Sequence, residues 1–277
     1  MILNNEIITS RNNPTVKWAA SLSEKKERVE NRVFIAEGEK LTYEAINAGL
    51  EITHIFVSES KKEKIFSEIF EYSEYENVRN CRVITVSDTA FEKISTEKSP
   101  QGIISVIKYL DFFSNMDIIY KEDFFLNDGE RTLALCSLRD PGNLGSVIRS
   151  AVAFGVEHIV MSADSADIYN PKTVRAAMGS LFKIKVSVVS DFNSFVTSAI
   201  QNGRRVFAAE LSESAKSLKD INLTANDIFM IGNEGHGIPA DTSSLCSDSV
   251  YIPISEKTES LNASVAAAIF MWEQNKI

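Results

Sequence analysis

Short apolar runs recur along this chain, and most are followed by a stretch whose apolar residues fall at helical spacing. That alternation restricts it to an α/β architecture. In the first part, strand-like runs lie at Phe34–Ala36, His54–Val57, Arg82–Val86 and Gly102–Ile107. Helices are expected over residues 15–30, from Glu37-Gly38 to Gly49, and over Lys61–Tyr72. A second alternation starts at Arg131, with strand-like runs at Leu133–Ser137, His158–Met161, Lys183–Val189, Arg205–Ala209, Asp227–Ile231 and Val250–Ile254. Its helices are expected at Leu144–Phe154, Pro171–Leu181 and Leu261–Trp272. Between the two, residues 109–130 have no clean period and carry the turn signal Asn127-Asp128-Gly129, so they read as a linker. Two α/β domains, 1–108 and 131–277, joined by residues 109–130, are the simplest parse of 277 residues.

Composition narrows the class. There is no run of 18 apolar residues, and the N-terminal MILNNEIITSRNN has no charged region followed by an apolar one. Neither a spanning helix nor a signal peptide is therefore expected. Cys81, Cys136 and Cys246 are scattered, which points to reduced thiols in a cytoplasmic protein. With three His and no ligand spacing, no metal site is expected. The net charge of −9 argues against non-specific binding to nucleic acid. The charge is uneven, however: residues 11–32 hold Arg11, Lys17, Lys25, Lys26, Arg28 and Arg32 against Glu24, Glu27 and Glu30.

Three segments of the second half exceed ordinary punctuation. Asp140-Pro141-Gly142-Asn143-Leu144-Gly145 joins a strand to a helix. A turn at Pro-Gly, a cap at Asn143 and core contacts from Leu144, Val147, Ile148 and Ala151 account for most of it. They leave Arg149 unexplained, in the expected second turn near the strand ends where open parallel sheets bind ligands. Next, Ile231-Gly232-Asn233-Glu234-Gly235-His236-Gly237-Ile238 follows a strand with three glycines in six residues. That lets a backbone approach a ligand, but it has neither GxGxxG order nor a Walker lysine. The third runs from Ile252-Pro253-Ile254 to Ser260-Leu261-Asn262, where Ser260 or Asn262 could cap the last helix. That helix's apolar stripe is read as Leu261, Val265, Ala268, Ile269 and Trp272.

In this order, DPGNLGSVIRSA, IGNEGHGI and IPISEKTESLNASVAAAI resemble the three motifs of the SpoU/TrmH branch of the SPOUT RNA methyltransferases. ITSRNNPTVK and FIAEGEK resemble the ribosomal-protein-like substrate-binding domain that precedes the catalytic domain in many rRNA-modifying members. The resemblance implies a C-terminal domain with a parallel sheet and deep trefoil knot, and a homodimer formed through it. It implies transfer of a methyl group from S-adenosylmethionine to a ribose 2′-hydroxyl. Gly232, Ile252 and Leu261 match positions whose backbones bind the cofactor, with Asn233, Glu234, Ile254 and Asn262 shaping the pocket. Asn143, Arg149, Glu234, Ser260 and Asn262 match the polar motif residues assigned to catalysis. Glu256 departs from the glycine that many relatives carry in this loop.

The chemistry suits those residue types. The sulfonium makes the methyl electrophilic, so the protein must align the ribose oxygen ~3 Å away and help to remove its proton. A guanidinium has a pKa above ~12, so Arg149 is expected to bind the adjacent phosphate and stabilise the alkoxide rather than act as a base. Arg11, Lys17, Lys25, Lys26, Arg28 and Arg32 are the expected phosphate contacts for RNA. The expected substrate is 23S rRNA. The alternatives are a tRNA ribose methyltransferase and a catalytically silent RNA-binding or ribosome-assembly factor. A Rossmann-type oxidoreductase is disfavoured by the missing fingerprint.

Overall fold

The computed structural model describes residues 1–70, 75–110 and 126–276. The described residues form two compact units, one of residues 1–110 with 167–182 and the other holding the remainder.

In chain order the first unit contains β1 (Ile2–Ile8), α1 (Pro14–Ser21), α2 (Lys25–Asn31), β2 (Val33–Glu37), α3 (Glu39–Asn47), β3 (Ile52–Ser58), α4 (Lys62–Phe70), β4 (Arg82–Val86), α5 (Asp88–Ile94) and β5 (Ile103–Lys108). Its five strands make one mixed sheet, ordered β1-β4-β3-β5-β2. β1, β4 and β3 are parallel, whereas β5 runs antiparallel to both β3 and β2. Val16, Ala19 and Leu22 of the α1 segment bury against Phe56 and Phe91. The strand β1 escaped the sequence reading because Asn4-Asn5 interrupts its alternation; pairing with β4 supplies what propensity does not.

One helix was expected over residues 15–30, and the structure holds two. Asn13 caps α1, its side chain accepting from the Thr15 amide. The chain then turns at Leu22–Glu24, and the Arg28 guanidinium returns to donate to the Leu22 and Ser23 carbonyls at 2.9 and 2.6 Å. Carbonyls released by the helix break are thereby satisfied.

Residues 167–182, which the sequence parse places in the second domain, cluster with the first unit. Tyr169, 1% exposed, stacks on Phe34 and Tyr109 at centroid distances of 4.7 and 4.1 Å, and its hydroxyl accepts from the Leu110 amide. The following helix, α6 (Pro171–Ala177), packs on β2. Aromatic burial, not chain order, decides where this segment sits. Of the expected linker, Tyr109–Leu110 and residues 126–130 are described and 111–125 lie outside the described residues.

The second unit carries β6 (Thr132–Leu135), a helix at Pro141–Ala153, β7 (His158–Ser162), β8 (Lys185–Val189), a helix at Phe192–Gln201, β9 (Val206–Ala209), β10 (Lys216–Ser217), β11 (Ile228–Ile231), β12 (Asp248–Tyr251) and a helix at Ala263–Gln274. All strand pairs described here are parallel, in the order β10-β12-β9-β11-β6-β7-β8. From β6 the chain builds outward through β7 and β8, then returns to fill the opposite side. The order therefore reverses beside β6 and β11, and a crevice is expected at the carboxyl ends of those strands.

The last helix corrects one expectation. Its buried face is Ala263, Ala267, Phe270, Met271 and Gln274, whereas Val265 and Trp272 of the expected stripe are 47% and 52% exposed. Apolar residues surround this helix on every side, so periodicity alone could not select the inward face.

Candidate active site

The loops that follow four adjacent strands, β12, β9, β11 and β6, meet at the carboxyl edge of the parallel sheet. After β6 the chain passes through Ser137 at φ 57, a conformation unusual for a side-chain-bearing residue. Hydrogen bonds hold it there: its amide donates to Ser162 Oγ and its hydroxyl to Asp164 Oδ2, both at 2.7 Å. Arg139 adds a contact to the same carboxylate oxygen at 3.0 Å. Partial burial pushes the Asp164 pKa up, but donation from Ser162, Ser137 and Arg139 outweighs it, leaving the net shift downward.

Asp140, not Asn143, then caps the helix, accepting from the Asn143 amide at 2.8 Å. The expected cap at Asn143 is therefore corrected, and the reason is useful: its side chain is freed for other work. Asn143 Nδ2 donates to Glu234 Oε1 at 2.9 Å, and Asn143 Oδ1 accepts from Asn262 Nδ2 at 3.0 Å. Because the ionised form of a carboxylate only accepts, this chain fixes which end of the Asn143 amide faces which neighbour. Asn262 is itself the cap of the last helix, its oxygen accepting from the Ser264 amide at 2.9 Å. Each of the three sequence motifs thus contributes one member to a continuous hydrogen-bonded chain.

The glycine-rich loop is tightly folded. Asn233 and Gly237 exchange backbone hydrogen bonds at 2.9 and 3.0 Å, and Asn233 Oδ1 accepts from the Gly235 and His236 amides. Asn233 Nδ2 donates to the Ser137 carbonyl at 2.9 Å, tying this loop to the one after β6. Gly232 is required by close approach: a Cβ there would lie 2.5 Å from the Gly237 carbonyl carbon.

A cleft of about 580 Å³ opens beside these loops. Of the seven residues nominated for a cofactor, Gly232, Asn233, Glu234, Ile252, Ile254 and Leu261 line it, as does Ser260; Asn262, the seventh, does not. Glu210 and Leu211 line it too and were missed by sequence reasoning. Their signal was their place directly after a strand of the parallel sheet. Glu210 is held by hydroxyl donors from Ser243 and Ser249, each 2.6 Å from its Oε1.

Arg149 is not part of the hydrogen-bonded chain and does not line the cleft. With the helix starting at Pro141, it falls in the third turn rather than the second. Six residues beyond Asn143, it stands about 9 Å further along the axis and roughly 120° around it. It is exposed and makes no hydrogen bond or ion pair among the described residues. Among the described residues no three His, Cys, Asp or Glu side chains are grouped to hold a metal. Burial pushes the thiols of Cys81 and Cys246 up to about 12 and that of Cys136 to about 11, which makes them poor nucleophiles at neutral pH.

In the first unit, Arg11, Lys17, Lys25, Lys26 and Arg32 are exposed, but Arg28 is not available to RNA. It is 1% exposed and pairs with Asp167 at 2.5 Å. Its place on the inward side of α2 removes it from the expected phosphate contacts.

The model of the SpoU rRNA Methylase family matches residues 130–272, and that of the MRM3-like substrate binding domain matches residues 13–105. The chain is 30% identical over 265 residues to the 23S rRNA (guanosine(2553)-2'-O)-methyltransferase RlmP of Bacillus subtilis (strain 168), covering 96% of this chain and 97% of that protein. It is 26% identical over 272 residues to the 23S rRNA (uridine(2479)-2'-O)-methyltransferase of Streptomyces viridochromogenes, covering 96% of this chain and 90% of that one. The crystal structure of an AdoMet-bound rRNA methyltransferase from Sinorhizobium meliloti superposes with a TM-score of 0.79 at 28% identity, covering 98% of this chain and 97% of that chain.

Proposed function

The chain belongs to the SpoU rRNA Methylase family, and we propose that it transfers a methyl group from S-adenosylmethionine to a ribose 2′-hydroxyl of 23S rRNA. The reading rests on one observation above the others: all three motifs converge at the carboxyl edge of the parallel sheet and are joined through Asn143, Glu234 and Asn262.

The residues present fit this cofactor. Ile252, Ile254 and Leu261 offer apolar walls for an adenine, and the bare backbone at Gly232 offers polar groups without a side chain in the way. Bound there, S-adenosylmethionine supplies a methyl carbon made electrophilic by its sulfonium. Glu234 and Asn233 shape the same wall, and the Asn143–Glu234 hydrogen bond holds the carboxylate in place. Ser260 and Asn262 orient the ribose. Arg149, exposed and unpaired, binds the phosphate next to the reacting ribose and stabilises charge developing on the 2′-oxygen. It stays protonated throughout, so the hydroxyl proton leaves to phosphate or solvent.

In this proposal residues 131–277 are the methyltransferase domain and residues 1–108 the RNA-binding domain, with Arg11, Lys17, Lys25, Lys26 and Arg32 meeting phosphates. The C-terminal domain carries a deep trefoil knot and forms a homodimer through it, and the exposed Val265 and Trp272 support such an interface. An rRNA substrate, as in the relatives' names, supports action in the cytoplasm. No helix among the described residues is long and apolar enough to cross a membrane.

The test is incubation with labelled S-adenosylmethionine and unmethylated 23S rRNA and tRNA in separate reactions. Label in 23S rRNA, at a linkage made resistant to alkali, is expected. Label confined to tRNA would overturn the substrate. Cofactor binding by calorimetry without label in either RNA would make the protein a silent binder.

A further inference from the structure

A second cavity, about 660 Å³, lies wholly within the first unit, on the opposite domain from the proposed chemistry. Its floor is a row across three neighbouring strands: Ile2 of β1 and His54 of β3 both stand in register with Arg82 of β4. Residues in register on adjacent strands present their side chains to the same face of a sheet. Trp18 and Pro14, from α1, form the side wall.

Several features point to the same kind of occupant. Trp18 meets His54 edge-on, with ring centroids 4.9 Å apart, so two aromatic rings share the cavity. The single donor of the Trp18 indole is already given to Asn31 Oδ1 at 3.1 Å, leaving that ring a π surface and not an unsatisfied polar group. Burial first, and the Arg82 charge second, lower the His54 pKa, so its imidazole is uncharged at neutral pH. The Arg82 guanidinium makes no hydrogen bond or ion pair among the described residues. Among the described residues no carboxylate lines the cavity, although the chain carries 38 acidic residues. Ile2, at the β1 end of that row, is 56% exposed.

We infer that this cavity takes an unpaired nucleobase of the RNA substrate, stacked on Trp18 with a flanking phosphate held by Arg82. The inference rests on the RNA reading above and adds a second point of recognition to it. Unpaired bases are the part of RNA that proteins read through aromatic stacking, and a neighbouring guanidinium binds phosphate bidentately. A protein strand added to the outer edge of β1 would use the exposed apolar residues but leave the unpaired cation without a role.

The test uses the full-length protein and an unmethylated 23S rRNA transcript, with dissociation constants and tryptophan emission followed together. RNA should quench the wild-type emission, and Trp18→Phe should bind normally while losing that quench. Trp18→Ala should bind about tenfold more weakly, and its thermal melt shows whether it is folded. Arg82→Gln, a change at an exposed position, should weaken binding several-fold and reduce the salt dependence by about one counterion. Normal binding by both Arg82→Gln and folded Trp18→Ala, or quenching unchanged in Trp18→Phe, overturns the inference while the rRNA reading stands. Unquenched binding by the wild type does the same and leaves the β1 edge to a protein partner. Failure of the wild type to bind the transcript at all sinks both.

Discussion

The basic stretch of residues 11–32 and the helix at Pro141–Ala153 present arginine in opposite circumstances. In the first, Arg28 is 1% exposed, bonded to two carbonyls and paired with Asp167. In the second, Arg149 is exposed with no partner among the described residues. Both lie on helices close to motif residues, and local sequence does not separate them. The difference teaches that a charge is available for function only where the fold has found no other use for it. Arg28 answers carbonyls opened by a helix break, whereas Arg149 answers no group among the described residues.

Removing each side chain should break the comparison in a different observable. Arg28→Ala leaves Asp167 and two carbonyls without their donor, and should cost about 3–5 kcal/mol in urea unfolding. Loss of much less would mean that the ion pair is solvated and Arg28 belongs with the exposed cations after all. Arg149→Ala should lower the single-turnover methylation rate by about 100- to 1,000-fold, with cofactor affinity by calorimetry and the thermal midpoint nearly unchanged. A rate close to wild type would remove Arg149 from the proposed chemistry.

His158 sharpens the contrast from the second unit. It too is a buried basic residue, 0% exposed, but burial keeps its ring neutral. Burial first, then the charges of Lys185 and Arg204, bring its pKa down from 6.5 to about 3. Glu130 lies 3.6 Å away, yet with the ring neutral this contact is not an ion pair. The unfolded chain takes up the proton near pH 6.5 and the folded one only near pH 3. The stability contributed is therefore complete above 6.5 and is lost as pH falls from there towards about 3. About 1 kcal/mol should be gone by pH 5.5, measured by urea unfolding. His158→Gln should flatten that slope to the part that His54, whose pKa is also lowered, still supplies. The smallest effect belongs to the exposed cations: reversing Lys25 and Lys26 together should leave stability within about 0.5 kcal/mol. The same change should weaken rRNA binding a few-fold and reduce its salt dependence; unchanged affinity would place the phosphate contacts elsewhere.

What the sequence determined by itself was the local pattern: two α/β alternations, the three motifs in order, and six of the residues that line the cleft. These were legible because strand and helix periodicity, and glycine at a close backbone approach, are set by residues near one another in the chain. Other features were settled only by contacts between distant segments. Asn4-Asn5 hides β1 until β4 pairs with it, and the last helix is apolar all round until the sheet beneath it selects Ala263, Ala267, Phe270 and Met271. Asn143 was read as a cap because a capping residue and a bridging one look alike until Asp140 is seen to take the amide. Residues 167–182 leave their neighbours in sequence because Phe34 and Tyr109 offer Tyr169 a stacked, buried site. Burial and hydrogen-bond partnership belong to pairs of surfaces, and the second surface of each pair lies far away along the chain.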